Sequence, residues 1–307
     1  MAAQLPSTAL TRWLLQKSKA NQRGFTLTEL LIAIVVGSLI LGTLLYLVVE
    51  LLGTNAREEK LTQAQQDTKR ALDYISRDVR EAVYVYSDPT DIVNQLDDEP
   101  ADTTAVLAFW RLKPIDVGQL PDPCAGATEE ICETLKVRQN VYDLVVYFHR
   151  DNTDSTIWSG PGRIIRYELT NYSNLNNLTL TDGYSDPSAP NNDFGSWVKG
   201  PDDTDGNAVV LTDYIDIHDP NISNVACPSG LTASPDALTD SNNFFVCVRE
   251  GLVGESNLNQ SLYVSLRGST VNPNPGTTVV FGPSSNASSL PTINTEVQVR
   301  GVIEKDN

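Results

Sequence analysis

The chain has 307 residues, 40% of them hydrophobic, and a formal net charge of −17. That length suffices for one sizeable core or two small ones, and the ordinary composition excludes a disordered chain. A surface this acidic repels nucleic acid and anionic lipid headgroups, so DNA and RNA are set aside as partners of the soluble part.

The first 24 residues hold Arg12, Lys17, Lys19 and Arg23 and no acid; taking those four positive charges from −17 leaves −21 on the remainder. Next comes "NQRGFTLTELLIAIVVGSLILGTLLYLVVE", residues 21–50. Leu30 to Val49 is 20 residues without a charge or a proline. As a helix it would be roughly 30 Å long, the thickness of a bilayer core. Gly37, Gly42 and Gly53 lower helix propensity but allow close helix approach in a membrane. Basic residues precede the segment, and Glu50, Glu58 and Glu59 follow it. The positive-inside rule then expects a cytoplasmic N-terminus and a large part across the membrane. The run is too long for a cleaved secretory signal, and its conspicuous small residue, Gly24, comes before it rather than after. Glu29 stands at the mouth of the run. A carboxylate there costs a few kcal/mol unless it is paired. No cation follows it in the helix before Arg57.

"RGFTLTELLIAIVVGSLILG" resembles the N-terminus of type IV pilins and pseudopilins. The resemblance implies cleavage by a prepilin peptidase between Gly24 and Phe25, N-methylation of the new terminus Phe25, and an apolar helix that stays attached. It also implies that Glu29, fifth in the mature chain, is the assembly glutamate, neutralised by the Phe25 amine of a neighbouring subunit. Beside it stand two plainer readings: an ordinary signal anchor, and a Glu29 that snorkels to the interface.

From Leu51 no proline interrupts the sequence until Pro89. Leu61, Ala64, Thr68, Leu72, Ile75, Val79 and Ala82 recur at steps of three and four, one helical stripe, and Asp73, Arg77 and Glu81 form a ladder of alternating sign on the exposed side. A helix from about Thr26 to about Val83 would be roughly 87 Å long. Strands are expected at 104–112, 141–149, 163–170, 207–217, 243–250, 261–268 and 295–303, rich in β-branched and aromatic residues. The polar loops 171–206 and 269–294 are long for a compact domain and are expected to be functional or mobile.

The four cysteines, Cys124, Cys132, Cys227 and Cys247, lack CxxC spacing, and His149 and His218 are the only histidines, which disfavours zinc. Two disulfides fit an extracytoplasmic domain. Of three connectivities, the short loops favour Cys124–Cys132 and Cys227–Cys247; four buried thiols are the plain alternative. No GxSxG elbow and no Gly-rich phosphate loop occurs, so no enzyme and no cofactor is expected. The acidic stretch at Asp202, Asp203, Asp205 and Gly206 has the look of a calcium loop, but Thr212 stands where a closing glutamate would be; a solvated turn is the alternative. Trp158 and Trp197 lie in polar loops, where they either stack on sugars or anchor the loop to the core.

The fold expected is α+β and pilin-like: one long N-terminal helix packed on an antiparallel sheet with long surface loops. Its parts are a leader at 1–24, a membrane or filament-core helix at 25–50, an amphipathic stalk at 51–86 and an acidic β-rich domain at 87–307. "LDYISRDVREAVYVY", "VLAFWRL" and "VVYFHRDNTDSTIWSGPGRIIRYEL" resemble the larger minor pilins and pseudopilins, and are most similar to the pseudopilins of hormogonium polysaccharide secretion in filamentous cyanobacteria. That resemblance covers the chain to about residue 170. It implies a minor pseudopilin supporting polysaccharide secretion and gliding motility. The partners implied are prepilin peptidase, other pilins, the inner-membrane assembly platform and, before assembly, membrane lipid. Two alternatives remain from the same machinery, a minor pilin of a motility pilus and a type II protein-secretion pseudopilin. A third is an uncleaved, signal-anchored sensor or binding protein.

Overall fold

The computed structural model describes residues 24–153, 155–190, 192–217, 227–235, 243–249, 261–269 and 290–300, less the side chains of residues 56 and 57. The expectations for the leader up to Arg23, for His218, for residues 270–289 of the second loop and for a strand reaching 303 lie outside these residues. The chain divides into two units, Met1–Ala56 and Arg57–Asn307.

Helix α1 runs over Leu27–Arg80. In the first unit it carries apolar side chains around its whole circumference, and those from Leu30 to Leu52 are exposed. Among the described residues it is the one helix long and apolar enough to cross a membrane.

In the second unit the same helix is amphipathic. Ala64, Thr68, Leu72, Ile75 and Val79 are buried, while Asp73 and Arg77 face outward. The expected end near Val83 is not reached, because the helix stops at Arg80. Ala82–Val85 instead forms strand β1, since "AVYV" suits a pleated edge better than a further helical turn. Ala82 thus joins the core from a strand rather than from the helical stripe.

Five antiparallel strands build the first sheet, in the order β1-β2-β3-β4-β7. They are β1, β2 (Thr104–Pro114), β3 (Asn140–Asp151), β4 (Gly162–Leu169) and β7 (Asn207–Ile215). A short hairpin, β5 (Tyr172–Asn174) with β6 (Thr179–Leu180), lies between β4 and β7 in sequence. A second antiparallel sheet has the order β11-β10-β9-β8, from β8 (Thr232–Ser234), β9 (Phe244–Val248), β10 (Ser261–Arg267) and β11 (Thr292–Gln298). One sheet was expected. Besides the hairpin, two form among the described residues, and their inner faces share one core with α1: Leu72, Ile75 and Val79 meet Leu107, Phe109 and Val145 from the first sheet and Val246, Val264 and Leu266 from the second. Each such side chain contributes about 1.5–3 kcal/mol on burial.

The other face of the first sheet is also covered. Trp110, Val146, Phe148, Ile165 and Tyr167 pack under helix α2 (Thr90–Val93) and under Tyr184 and Trp197 of the loop at 171–206. With both faces buried, β2 and β3 read as nearly continuous apolar runs rather than alternating ones. These described residues of the loop therefore cover the outer face of the sheet. Trp197 is 2% exposed, lies edge-on to Trp110 at 5.6 Å and donates its indole N–H to Ser185 O at 2.8 Å. It anchors the loop and is closed to sugars.

The acidic stretch has a similar structural part. Asp98 accepts hydrogen bonds from Tyr167 Oη at 2.7 Å, Thr204 Oγ1 at 2.6 Å and Gly206 N at 2.6 Å. A Cβ on Gly206 would lie 2.2 Å from the Tyr167 ring, so only glycine lets the loop close there. Among the described residues no group of three or more His, Cys, Asp or Glu is arranged to hold a metal.

Sulfur bonds join Cys124 to Cys132 and Cys227 to Cys247. The first ties the β2–β3 connection to helix α3 (Glu129–Arg138), which the sequence reading passed over. Its signals are ordinary ones: Glu129 and Glu130 in the first turn, Lys136 and Arg138 in the last, each sign favourable to the helix dipole.

Candidate processing and assembly site

Gly24, Phe25 and Thr26 lie just ahead of α1 outside any helix or strand, and the Phe25 side chain is 86% exposed. Nothing lies within 4 Å of a Cβ placed on Gly24. The bond whose cleavage the resemblance implies lies between these exposed residues, Gly24 and Phe25. Arg23 lies outside the described residues.

Glu29 has a local partner that counting cations did not find. Its Oε2 accepts from Thr26 N–H at 3.3 Å and from Thr26 Oγ1 at 3.2 Å, and Glu29 N–H donates to Thr26 Oγ1 at 3.3 Å. This is a reciprocal capping box, with Thr26 at the N-cap of α1 and Glu29 three residues on. The spacing Thr-x-x-Glu before an apolar run is legible in sequence. The carboxylate also faces the positive end of the helix dipole. These partners are neutral, however, so the charge of Glu29 remains uncompensated by any cation in its own helix. A capping box uses the oxygens of the side chain; the charge is left over for another partner.

A second polar site fastens the stalk to the sheet, and the sequence reading did not anticipate it. Asp78, one residue off the exposed ladder, is buried under α1. It accepts from Arg111 Nη1 at 2.9 Å, Arg166 Nε at 2.8 Å and Tyr147 Oη at 2.7 Å. The two arginines reach on to Glu168, at 2.6 Å from Arg111 Nη2 and 2.7 Å from Arg166 Nη1. Lys113 links Glu168 at 3.2 Å to the fully buried Asp143 at 2.9 Å. Three acids thus meet three bases, and the exposed Glu81 adds a fourth acid 3.7 Å from Arg111 Nη1. Burial works against the charge on Glu168, but the Arg166 hydrogen bonds and the charges of Arg166, Arg111 and Lys113 outweigh it and hold the carboxyl well below its usual range. Burial raises the Asp143 carboxyl in spite of Lys113. The signal available in sequence was a charged residue at a buried helical position, together with arginine and glutamate alternating in strands whose neighbours are apolar.

Trp158 sits at the tip of the β3–β4 connection and is 39% exposed, so unlike Trp197 it is not a core anchor.

Residues 19–45 match the family described as the prokaryotic N-terminal methylation motif. No curated protein matches the chain, and no solved structure does. The match lies on the leader junction and the exposed start of α1, where the capping box stands. The chain therefore carries a type IV pilin-like N-terminal methylation signal, set on an α+β protein whose long helix packs on antiparallel sheet as in a pilin.

Proposed function

We propose that this chain is a minor pseudopilin, a structural subunit rather than an enzyme, in a type IV pilus-like or type II secretion-like filament. The methylation motif at residues 19–45 carries the reading. In this account prepilin peptidase cuts between Gly24 and Phe25, Phe25 is N-methylated, and α1 holds the protein in the inner membrane with its N-terminus in the cytoplasm. The assembly platform then draws the subunit into a filament beside other pilins. The two disulfides favour an extracytoplasmic domain, because such bonds persist in oxidising compartments. Support for polysaccharide secretion and gliding comes from the resemblance of the first 170 or so residues alone.

Glu29 supplies the mechanism. Before cleavage it caps its own helix. Cleavage frees an amine on Phe25, and that cation, on a neighbouring subunit, compensates the charge the capping box leaves over. An unpaired acid in a bilayer is costly, so packing into the filament is favoured.

The mass of the mature protein from membranes tests the reading. A chain beginning at methylated Phe25 is expected; one beginning at Met1 would make it an uncleaved signal-anchored protein. Glu29→Gln separates the two uses of the side chain, since glutamine keeps the capping box but not the charge. It should be inserted and cleaved as usual yet fail to assemble. Normal incorporation would reduce Glu29 to a cap.

A further inference from the structure

A cleft of about 400 Å³ opens between α1 and the edge strand β7. That volume is in the range of small-ligand sites, roughly 300–1,000 Å³. Tyr74 of α1, 46% exposed, and Trp158, 39% exposed, supply aromatic surface. Asp67 and Arg70 of α1 and Asp213 of β7 supply polar groups, and Leu211 is part of the floor.

Two features show that this lining is held in place rather than left over. The connection between β3 and β4 is built around Asn152, which is fully buried and donates to Ser159 O at 3.1 Å and Gly160 O at 3.2 Å. Asn152 Oδ1 also accepts from Arg163, a residue 7% exposed, whose guanidinium lies 5.8 Å from the centre of the Trp158 ring. An exposed tryptophan is thus positioned by a buried arginine and a buried asparagine. The same turn fixes the acid: Ser159 N–H donates to Asp213 Oδ2 at 3.1 Å. Gly160, at φ +71°, permits this approach, because a Cβ there would meet Tyr214 Cα at 2.5 Å.

The chemistry narrows the occupant. Burial, opposed by hydrogen bonds and aided by the nearby Asp67 charge, raises the Asp213 carboxyl. Arg70 pairs with Asp67 at 3.3 Å, which leaves the charge of Asp213 over to repel an anion. A cation would meet Arg70 at the rim and, at Trp158, a ring already engaged by Arg163. A neutral ligand with both apolar faces and hydroxyls is repelled by none of these charges, and the Trp158 face not covered by Arg163 is left to it. Its faces would lie on Tyr74 and Trp158. Its hydroxyls would donate to the two carboxylates and accept from Arg70 and the Tyr74 hydroxyl.

We infer that the α1–β7 cleft is a binding site for a neutral saccharide, gripped between Trp158 and Tyr74 and oriented by Asp67 and Asp213. The site stands on residues outside the methylation motif, so its test is independent of the filament reading.

The full chain, in a polyoxyethylene detergent that has no sugar headgroup, is titrated with neutral cello-, malto- and chito-oligosaccharides. An oligogalacturonate and spermine serve as charged controls. Binding is read by calorimetry and by the indole N–H resonance of Trp158. At least one neutral oligosaccharide should bind saturably and move that resonance. Trp158→Ala and Tyr74→Ala should each weaken it by about tenfold or more, equivalent to about 1.4 kcal/mol. Both side chains are exposed, so far-UV circular dichroism should not change. Binding of none of the neutral sugars, preference for either charged control, or affinity unmoved by both variants would each overturn the assignment.

Discussion

Asp78 accepts hydrogen bonds from three side chains at once and answers two guanidinium groups. Removing one partner of a buried ion pair leaves the other charge uncompensated, at a cost of about 3–5 kcal/mol. Asp78→Asn should therefore lower the urea midpoint sharply, whereas Asp73→Asn on the exposed side should stay within about 0.5 kcal/mol of the parent. His149 sets a different dependence. Its Nε2 is sealed from water, and burial, only partly offset by Asp151, pushes the imidazole from 6.5 down to about 4. The unfolded chain thus binds a proton that the folded one refuses. Stability from this group is complete above about pH 6.5, falls as the pH drops toward 4, and levels off below that, with a span of about 3 kcal/mol. Glu168 adds a loss at lower pH, because a carboxyl held below the ordinary 4.5 stabilises only while ionised. His149→Leu should flatten the profile between pH 4 and 6.5 in urea titrations and leave the more acidic limb in place.

Helix α1 changes character along its length. Its first turns bury nothing within the protein, and its last turns, from Ala64 on, carry a stripe clamped by two sheets and by the Asp78 network. The disulfides act on other elements. Cys124–Cys132 closes a short loop over a satellite cluster formed by Leu120, Leu135, Val141 and Leu178, away from α1. Cys227–Cys247 ties the chain ahead of β8 to β9, whose Val246 and Val248 belong to the main core. Each bond is worth about 2–4 kcal/mol. Reduction should lower the melting temperature. Replacing Cys227 and Cys247 together by serine should expose amides of β9 and β10 to hydrogen exchange, while the Cys124/Cys132 double replacement should loosen α3 first.

Every core side chain of the α+β unit lies at Ala64 or later, so a fragment starting at Arg57 should fold alone and melt within a few degrees of the full chain. It should also stay in solution without detergent, as the run from Leu30 to Leu52 should not. What the sequence determined by itself is local and periodic. The methylation motif is a contiguous string. The stalk stripe follows a 3.6-residue period, and six expected strands fall on β2, β3, β4, β7, β9 and β10, while the one expected at 295–303 overlaps β11 only at its start, because β-branched and aromatic runs have few other uses. Short separations of 8 and 20 residues made the disulfides readable too. Tertiary structure alone decided what depends on distant partners. Asp78 and Arg166 are 88 residues apart, and no period marks them as a pair. The split into two sheets, the loop at 171–206 as cover for Trp110, and the opposite fates of Trp158 and Trp197 likewise follow from which surfaces meet. A side chain's type fixes what it can bond to, but its burial and its partner are set only when the chain has closed around it.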